Sequence, residues 1–320
     1  MNILITGATG FVGRSLISRL HADQRHQIIG SVRKLNENSI GLDKVVAVGE
    51  ISEKTDWANA LENIDVVIHL AGRAHVLNDQ YNLSSFNRIN VDGTLRLAEQ
   101  ALEFGVKRFI FISSIGVNGS QTHGEAFTEC SIVAPQAMYA ESKKQAEDLL
   151  KLKLENSSME LVIIRPPLVY AANAPGNFQR LLKLVACGLP LPFGNTDNKR
   201  SMVSLNNLTD FISVCVEHPA AANETFLISD GVNVSTKEIV NFLAEGMGKK
   251  VRLFPLPNCL ARFAFTLLRK PTIYTQLYGS LAIDSSKART LLDWEPVEHA
   301  SKALKEAGLG YKCVKKSVLG

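Results

Sequence analysis

The chain has 320 residues, 46% of them hydrophobic, and a formal net charge of +4 at neutral pH. That length allows one large unit or two lobes around a substantial core. The charge is too small and too dispersed for a nucleic-acid-binding face, and the five cysteines, at 130, 187, 215, 259 and 313, lack metal-ligand spacing, so no metal is expected.

Residues 2–5 are a short apolar run that reads as a strand buried on both faces. The run leads into Thr6-Gly7-Ala8-Thr9-Gly10-Phe11-Val12-Gly13 and then an amphipathic helix over about 11–20. Gly7 permits the tight turn, Gly10 lets the backbone approach a pyrophosphate, and Gly13 lets the helix pack closely on the strand. A strand before and a helix after is the setting in which such a loop holds a dinucleotide, with free N–H groups aimed at the phosphates. Thr9, Phe11, Val12 and Arg14 belong to the same loop and join the glycines as candidate cofactor contacts.

The next strand, 27–32, should end beside the adenosine ribose. An NAD site usually places Asp or Glu there, whereas this chain has Ser31, Val32 and Arg33, with Arg14 nearby. An arginine fork suits a 2′-phosphate. The expected cofactor is therefore NAD or NADP, with NADP favoured. Glu50, after a strand at 44–48, is positioned to bear on the adenine.

Further strands at 65–69, 107–112 and 160–164 alternate with helices near 55–62, 85–104 and 139–155, which means an α/β fold with a doubly wound parallel sheet. The strand at 107–112 runs into Ser113 and Ser114, at the sheet edge where open parallel sheets bind ligands. Tyr139 and Lys143 follow, four residues apart on one helix face. A free phenol has a pKa of about 10, and an adjacent ammonium and a nicotinamide cation would both lower it, so the pair suits proton transfer beside a hydride-transfer cofactor. His69, His75 and His123 have no ligand-type partners at suitable spacing and read as structural or incidental.

After residue 165 the alternation breaks, with prolines at 166, 167, 175, 190 and 192. The expected organisation is a dinucleotide-binding domain over 1–166, with 203–230 returning to it. A smaller C-terminal substrate lobe would be built from 167–202 and 231–310, leaving a basic tail at 311–320. The chain opens on its first strand, without room for a signal peptide. Its longest apolar helix, over 259–268, is too short to span a bilayer. A cytoplasmic location and no membrane partner are the expectation.

With these motifs in hand, the chain resembles the extended short-chain dehydrogenase/reductase superfamily, and within it the UDP-glucose 4-epimerase-like sugar-nucleotide enzymes, from residue 2 to about 300. The matching stretches are the opening loop, Asp65-Val-Val-Ile-His-Leu-Ala-Gly72, Asn90-Val-Asp-Gly-Thr94, the two serines before Val117, Tyr139-x3-Lys143 and Arg165-Pro-Pro-Leu-Val-Tyr170. Gly176-Asn-Phe178, the run from Arg200 to Leu208, and Asp284-Ser-Ser-Lys287 ahead of Leu292-Asp-Trp-Glu-Pro296 continue the match.

The resemblance implies Tyr139 as acid/base, Lys143 as its ribose-holding partner and Ser114 as the catalytic hydroxyl. It further implies cofactor contacts from Ile51, Leu70, Ala71, Gly72, Asn90, Ser113 and Pro166, and contacts to the sugar donor's nucleotide and diphosphate from Asn177 and Arg200. The implied activity is a UDP-sugar 4-epimerase, on UDP-glucose or a UDP-N-acetylhexosamine. The alternatives are an NADPH-dependent 4-ketoreductase of a UDP-2-acetamido-2,6-dideoxy-4-ketohexose in polysaccharide or O-antigen synthesis, and, more distantly, a non-catalytic NAD(P)-binding sensor. Related enzymes pair as homodimers through the helices corresponding to 85–104 and 139–155. The chain departs from the family at Asn118, where a tyrosine is common, and at Ala140, where glycine is. An arginine ahead of Asp284 is also missing; Arg269 or Lys270 stand nearest in its place.

Overall fold

The computed structural model describes residues 1–35, 41–73 and 83–319. The first half alternates as β1 (Asn2–Thr6), α1 (Phe11–Ala22), β2 (Gln27–Val32), β3 (Lys44–Ala47), α2 (Ala58–Leu61), β4 (Val66–His69), α3 (Leu83–Asn87), α4 (Gly93–Glu103), β5 (Arg108–Ile112), α5 (Met138–Leu154) and β6 (Glu160–Arg165). A π-helical turn over Arg88–Asp92 joins α3 to α4. The strands read from the sequence lie where expected; all but the partly exposed edge strand β3 are short apolar runs buried in a sheet covered on both faces.

Seven parallel strands form the sheet, in the order β3-β2-β1-β4-β5-β6-β9, with β9 (Thr225–Leu227) at one edge. On one face Ile3, Ile5 and Ile68 pack with Leu16 and Leu20 of α1 and with Phe211. On the other, Leu4, Val67 and Phe109 pack with Leu97 of α4 and Leu150 of α5. Chain order reverses between β1 and β4, which opens a crevice at their C-terminal ends, the usual ligand position in such sheets.

The remaining elements are β7 (Leu168–Tyr170), α6 (Asn177–Cys187), β8 (Met202–Ser204), α7 (Leu205–Glu217), α8 (Thr236–Gly246), α9 (Asn258–Leu267), α10 (Pro271–Tyr278), α11 (Ser286–Leu292) and α12 (Ala300–Leu319). From the segment 203–230, α7 and β9 lie against the sheet, whereas β8 pairs with β7 in a separate two-stranded sheet. A second core gathers Tyr170, Phe178, Leu182, Val240, Leu243 and Leu304, mostly from α6, α8 and α12. The segment 311–319, read from the sequence as a tail, instead continues α12. Leu304, Ala307 and Tyr311 anchor that helix on the second core, and Gly246 and Gly308 let α8 and α12 approach backbone to backbone, so the last turns extend from a fixed base.

Candidate active site

At the β1–α1 corner Gly7 has φ +70°, which L side chains rarely adopt, and a Cβ there would lie 2.9 Å from the Ala71 nitrogen. A Cβ on Gly13 would run into the Gly7 carbonyl oxygen. The corner closes through Gly10 N donating to Gly7 O at 2.9 Å. Gly10 also begins α1 as an N-cap with no side-chain oxygen to occupy the helix's first N–H groups. Thr9, Gly10 and Arg14 face solvent at this corner, Arg14 donating from Nε to Thr9 O at 2.9 Å, while Phe11 packs against the second core. The wall of the crevice is thus bare backbone shaped for a close-lying ligand.

Leu70, Ala71 and Gly72 leave β4 against this loop. His69 is buried between Thr6 and Thr94, its Nδ1 2.7 Å from Thr6 Oγ1 and its Nε2 2.9 Å from Thr94 Oγ1. Burial first, and the nearby Lys143 charge second, lower its pKa to about 3, so it is neutral and structural. Asn90 sits in the π-helical turn, a distortion often found at functional positions. Its Oδ1 accepts from Arg73 N at 2.8 Å and its Nδ2 donates to Ser142 Oγ at 3.0 Å, which ties the β4 loop to α5. His75 lies outside the described residues; His123 is exposed and 3.1 Å from the Gln121 side chain.

Lys143 is buried on α5, where Nζ donates to Ile112 O at 2.8 Å and lies 4.5 Å from the Phe111 ring centroid. A Cβ on Gly72 would be 3.3 Å from both Lys143 Nζ and Asn90 Oδ1, so Gly72, Asn90 and Lys143 converge. Burial lowers the Lys143 ammonium to about 8, against an opposing pull from Glu147, leaving it largely cationic at neutral pH. Tyr139 is half-buried in the first turn of α5. Burial pushes its phenol up to about 12. Ser114 is half-buried, its Oγ accepting from Gly116 N at 3.1 Å; a Cβ on Gly116 would be 3.2 Å from Ala140 Cβ, which places this serine turn against the start of α5.

Ser113, one residue before, points the other way and gives its hydroxyl to Glu147. Sequence reading missed this network. Glu147 is buried, accepts from Arg165 Nε at 2.9 Å, and Arg165 Nη1 donates to Asn118 Oδ1 at 3.0 Å. The tyrosine-to-asparagine departure at 118 therefore supplies an acceptor for a buried guanidinium. Glu147 sits one turn beyond Lys143, a spacing that was available as a signal. Pro166, next to Arg165, accepts from Ile115 N at 3.0 Å and holds the serine turn on β6.

The other candidates lie apart from this cluster. Arg33 and Glu50 are exposed beyond β2 and β3, and Ile51 packs under Gly93. Close in sequence to Met202 of the second core, Arg200 is tied by its backbone to Val234 at 2.9 Å, and its Nη1 reaches Gly279 O at 3.4 Å. Burial lowers its pKa to about 10, and no carboxylate pairs with it among the described residues. Asn177 begins α6 after Gly176, whose φ is +72° and which adds no capping side chain. Arg269 and Lys270 sit at the far end of α10 from Gly279, about 12 Å along the helix.

A glycine-walled crevice at the sheet's reversal point, with a buried ammonium and a phenol beside it, defines a dinucleotide-dependent α/β enzyme. The sequence profile of the NAD dependent epimerase/dehydratase family matches residues 3–229, and the chain belongs to that family. A UDP-glucose 4-epimerase of Vibrio cholerae is 42% identical over 314 residues, covering 97% of this chain and 95% of the relative. An N-acetyl-alpha-D-glucosaminyl-diphospho-ditrans,octacis-undecaprenol 4-epimerase of Escherichia coli O157:H7 is 28% identical over 298 residues, covering 91% and 87%. The fold is that of the UDP-glucuronic acid 4-epimerase from Bacillus cereus, solved in complex with NAD, at a TM-score of 0.79 and 23% identity over 98% of this chain and 99% of that one.

Proposed function

We propose that the chain is a UDP-sugar 4-epimerase, acting on UDP-glucose or a UDP-N-acetylhexosamine through a 4-keto sugar. The observation that carries this reading is the whole-length likeness to the Vibrio cholerae enzyme. The residues fit a dinucleotide: side chains are excluded where Gly7 faces Ala71, and Gly72 gives way to Asn90 and Lys143. A nicotinamide dinucleotide held there would supply reversible hydride transfer at the sugar's C4. The chain's own residues handle the rest. Tyr139 Oη takes the C4 hydroxyl proton and gives it back, with Ser114 Oγ hydrogen-bonded to the same oxygen. Lys143 holds the cofactor ribose and adds positive charge near the phenol, while the donor's diphosphate offsets the uncompensated Arg200 guanidinium. Asn177 at the start of α6 contributes an amide to the same donor.

The experiment incubates purified protein with UDP-glucose and with UDP-N-acetylglucosamine, without added cofactor, and follows C4 epimers by NMR. Epimer formation supports the reading. No epimer, together with stoichiometric NADPH consumption on a 4-keto sugar nucleotide, makes the chain a reductase.

For the cofactor we propose that the 2′-phosphate form is accepted at least as well as NAD, since positions 31–33 carry Ser, Val and Arg and no carboxylate. Arg33→Ala should weaken NADPH more than NADH. A clear preference for NADH, unchanged in that variant, would leave Arg33 a surface charge.

We also propose a homodimer through α4 and α5. Of the apolar positions on these helices, Leu97, Ala98, Ala101, Ala146 and Leu150 are buried within the protomer's own core, whereas Leu95 and Leu149 stay half-exposed and Leu152 is open. Light scattering at high micromolar concentration should report a dimer, and a monomer there contradicts the pairing.

A further inference from the structure

Among the described residues, the surface of α9 carries a dense group of exposed large apolar side chains. Leu260, Phe263 and Leu267 are 54, 68 and 73% exposed, and Leu268, just after the helix, is 63% exposed. The spacing i, i+3, i+7 puts the first three on one stripe. This stripe is not the one that holds α9 to the body, since Ala261 is buried and Phe265 packs on the second core beside Tyr274 and Tyr278. Phe254 adds a further exposed ring from the preceding segment. A monomeric protein gains nothing by leaving such a stripe in water.

The charge of its own segment has one sign. From Gly246 through Ile283 the chain contains no Asp or Glu, while Lys249, Lys250, Arg252, Arg262, Arg269 and Lys270 all fall in that stretch and are all exposed. The rest of the chain mixes the two signs closely enough that the whole carries only +4. The groove between α9 and α10, lined by Asn258, Arg262, Phe263, Thr266 and Tyr274, likewise has no carboxylate. Arg269 takes φ +54° at the helix end, a left-handed conformation that glycine adopts more easily, yet a cation stands there. A ten-residue helix is about 15 Å long and cannot cross a hydrocarbon core of about 30 Å. An apolar stripe whose own segment supplies cations and no carboxylate is instead the pattern of a helix lying in the plane of an anionic bilayer.

We propose that α9 and the turn after it dock this protein on an anionic lipid surface, with Leu260, Phe263, Leu267 and Leu268 entering the headgroup boundary and Arg262, Arg269 and Lys270 meeting lipid phosphates. The neighbouring α10, which shares the groove with α9, ends one residue before Gly279, whose carbonyl Arg200 contacts. Docking therefore places the substrate lobe, rather than the sheet, against the membrane.

The test is flotation of the full chain with vesicles of phosphatidylcholine alone and of an equal mixture with phosphatidylglycerol. The protein should float with the mixed vesicles, and less so in high salt. Phe263→Glu with Leu267→Glu should abolish flotation while conversion of soluble sugar nucleotide is unchanged. Arg262→Gln, Arg269→Gln and Lys270→Gln combined should weaken partitioning about a hundredfold, as expected for three basic residues near such a surface. No binding to mixed vesicles beyond that to neutral ones overturns the proposal, as does unchanged binding by the Glu double variant. Light scattering on the wild type and the Glu double variant covers the competing occupant: a stripe that pairs copies of the chain and ignores vesicles is a protein interface, not a lipid one.

Discussion

Replacing Tyr139 by phenylalanine should lower turnover by a factor of about 10² to 10⁴ while leaving cofactor binding intact, because the change removes one hydroxyl and no packing volume. The size of the loss follows from the site. Burial pushes this phenol up to about 12, so the chain by itself keeps it protonated and available as an acid. Lys143 is cationic below about 8 and is held close by the Ile112 carbonyl, so the positive charge that favours phenolate is fixed rather than mobile. Ser114 can hydrogen-bond the reacting oxygen but cannot replace a group whose proton moves fully. Stopped assays on the variant, with cofactor content read by absorbance, check this; unchanged turnover with cofactor bound removes Tyr139 from the chemistry.

The second large effect is on stability. Glu147→Leu leaves the Arg165 guanidinium buried with only Asn118 Oδ1 as a side-chain partner among the described residues, and strips the Ser113 hydroxyl of its acceptor. Breaking one side of a buried ion pair costs about 3–5 kcal/mol, because the remaining charge stays out of water. Urea unfolding should show that loss. Glu147→Gln, which keeps an acceptor for both partners, should lose less, and Glu147→Leu with Arg165→Met should recover much of the deficit, since an apolar pair of similar volume carries no uncompensated charge. A Glu147→Leu protein as stable as the original would mean that water or another group satisfies Arg165.

Much of this was legible in the sequence, for identifiable reasons. The strands were readable because a parallel sheet buried on both faces demands short continuous apolar runs. The glycine loop was readable because Gly7 and Gly13 are dictated by backbone approach, which leaves little choice of residue. Gly72, Asn90 and Lys143 were each identifiable, although only the fold brings them within contact, through a π-helical turn that no local pattern announces. The Glu147–Arg165–Asn118 network was hidden because its members lie on three separate elements and each alone resembles a surface residue. Spacing places Lys143 near Tyr139, but only the fold shows that the Ile112 carbonyl holds the ammonium. Residues 311–319 misled because a basic, glycine-flanked end looks like a tail until α8 gives α12 something to pack against.

The most direct test of the account follows the hydrogen at C4. UDP-glucose carrying deuterium at C4 is converted by the purified protein in ordinary water, and the product is examined by NMR. Because Tyr139 exchanges only the hydroxyl proton, the account predicts that the C4 epimer keeps its deuterium on carbon. A C4 epimer whose carbon-bound deuterium has been replaced by solvent hydrogen would contradict it, since that product requires a base acting on C4 itself.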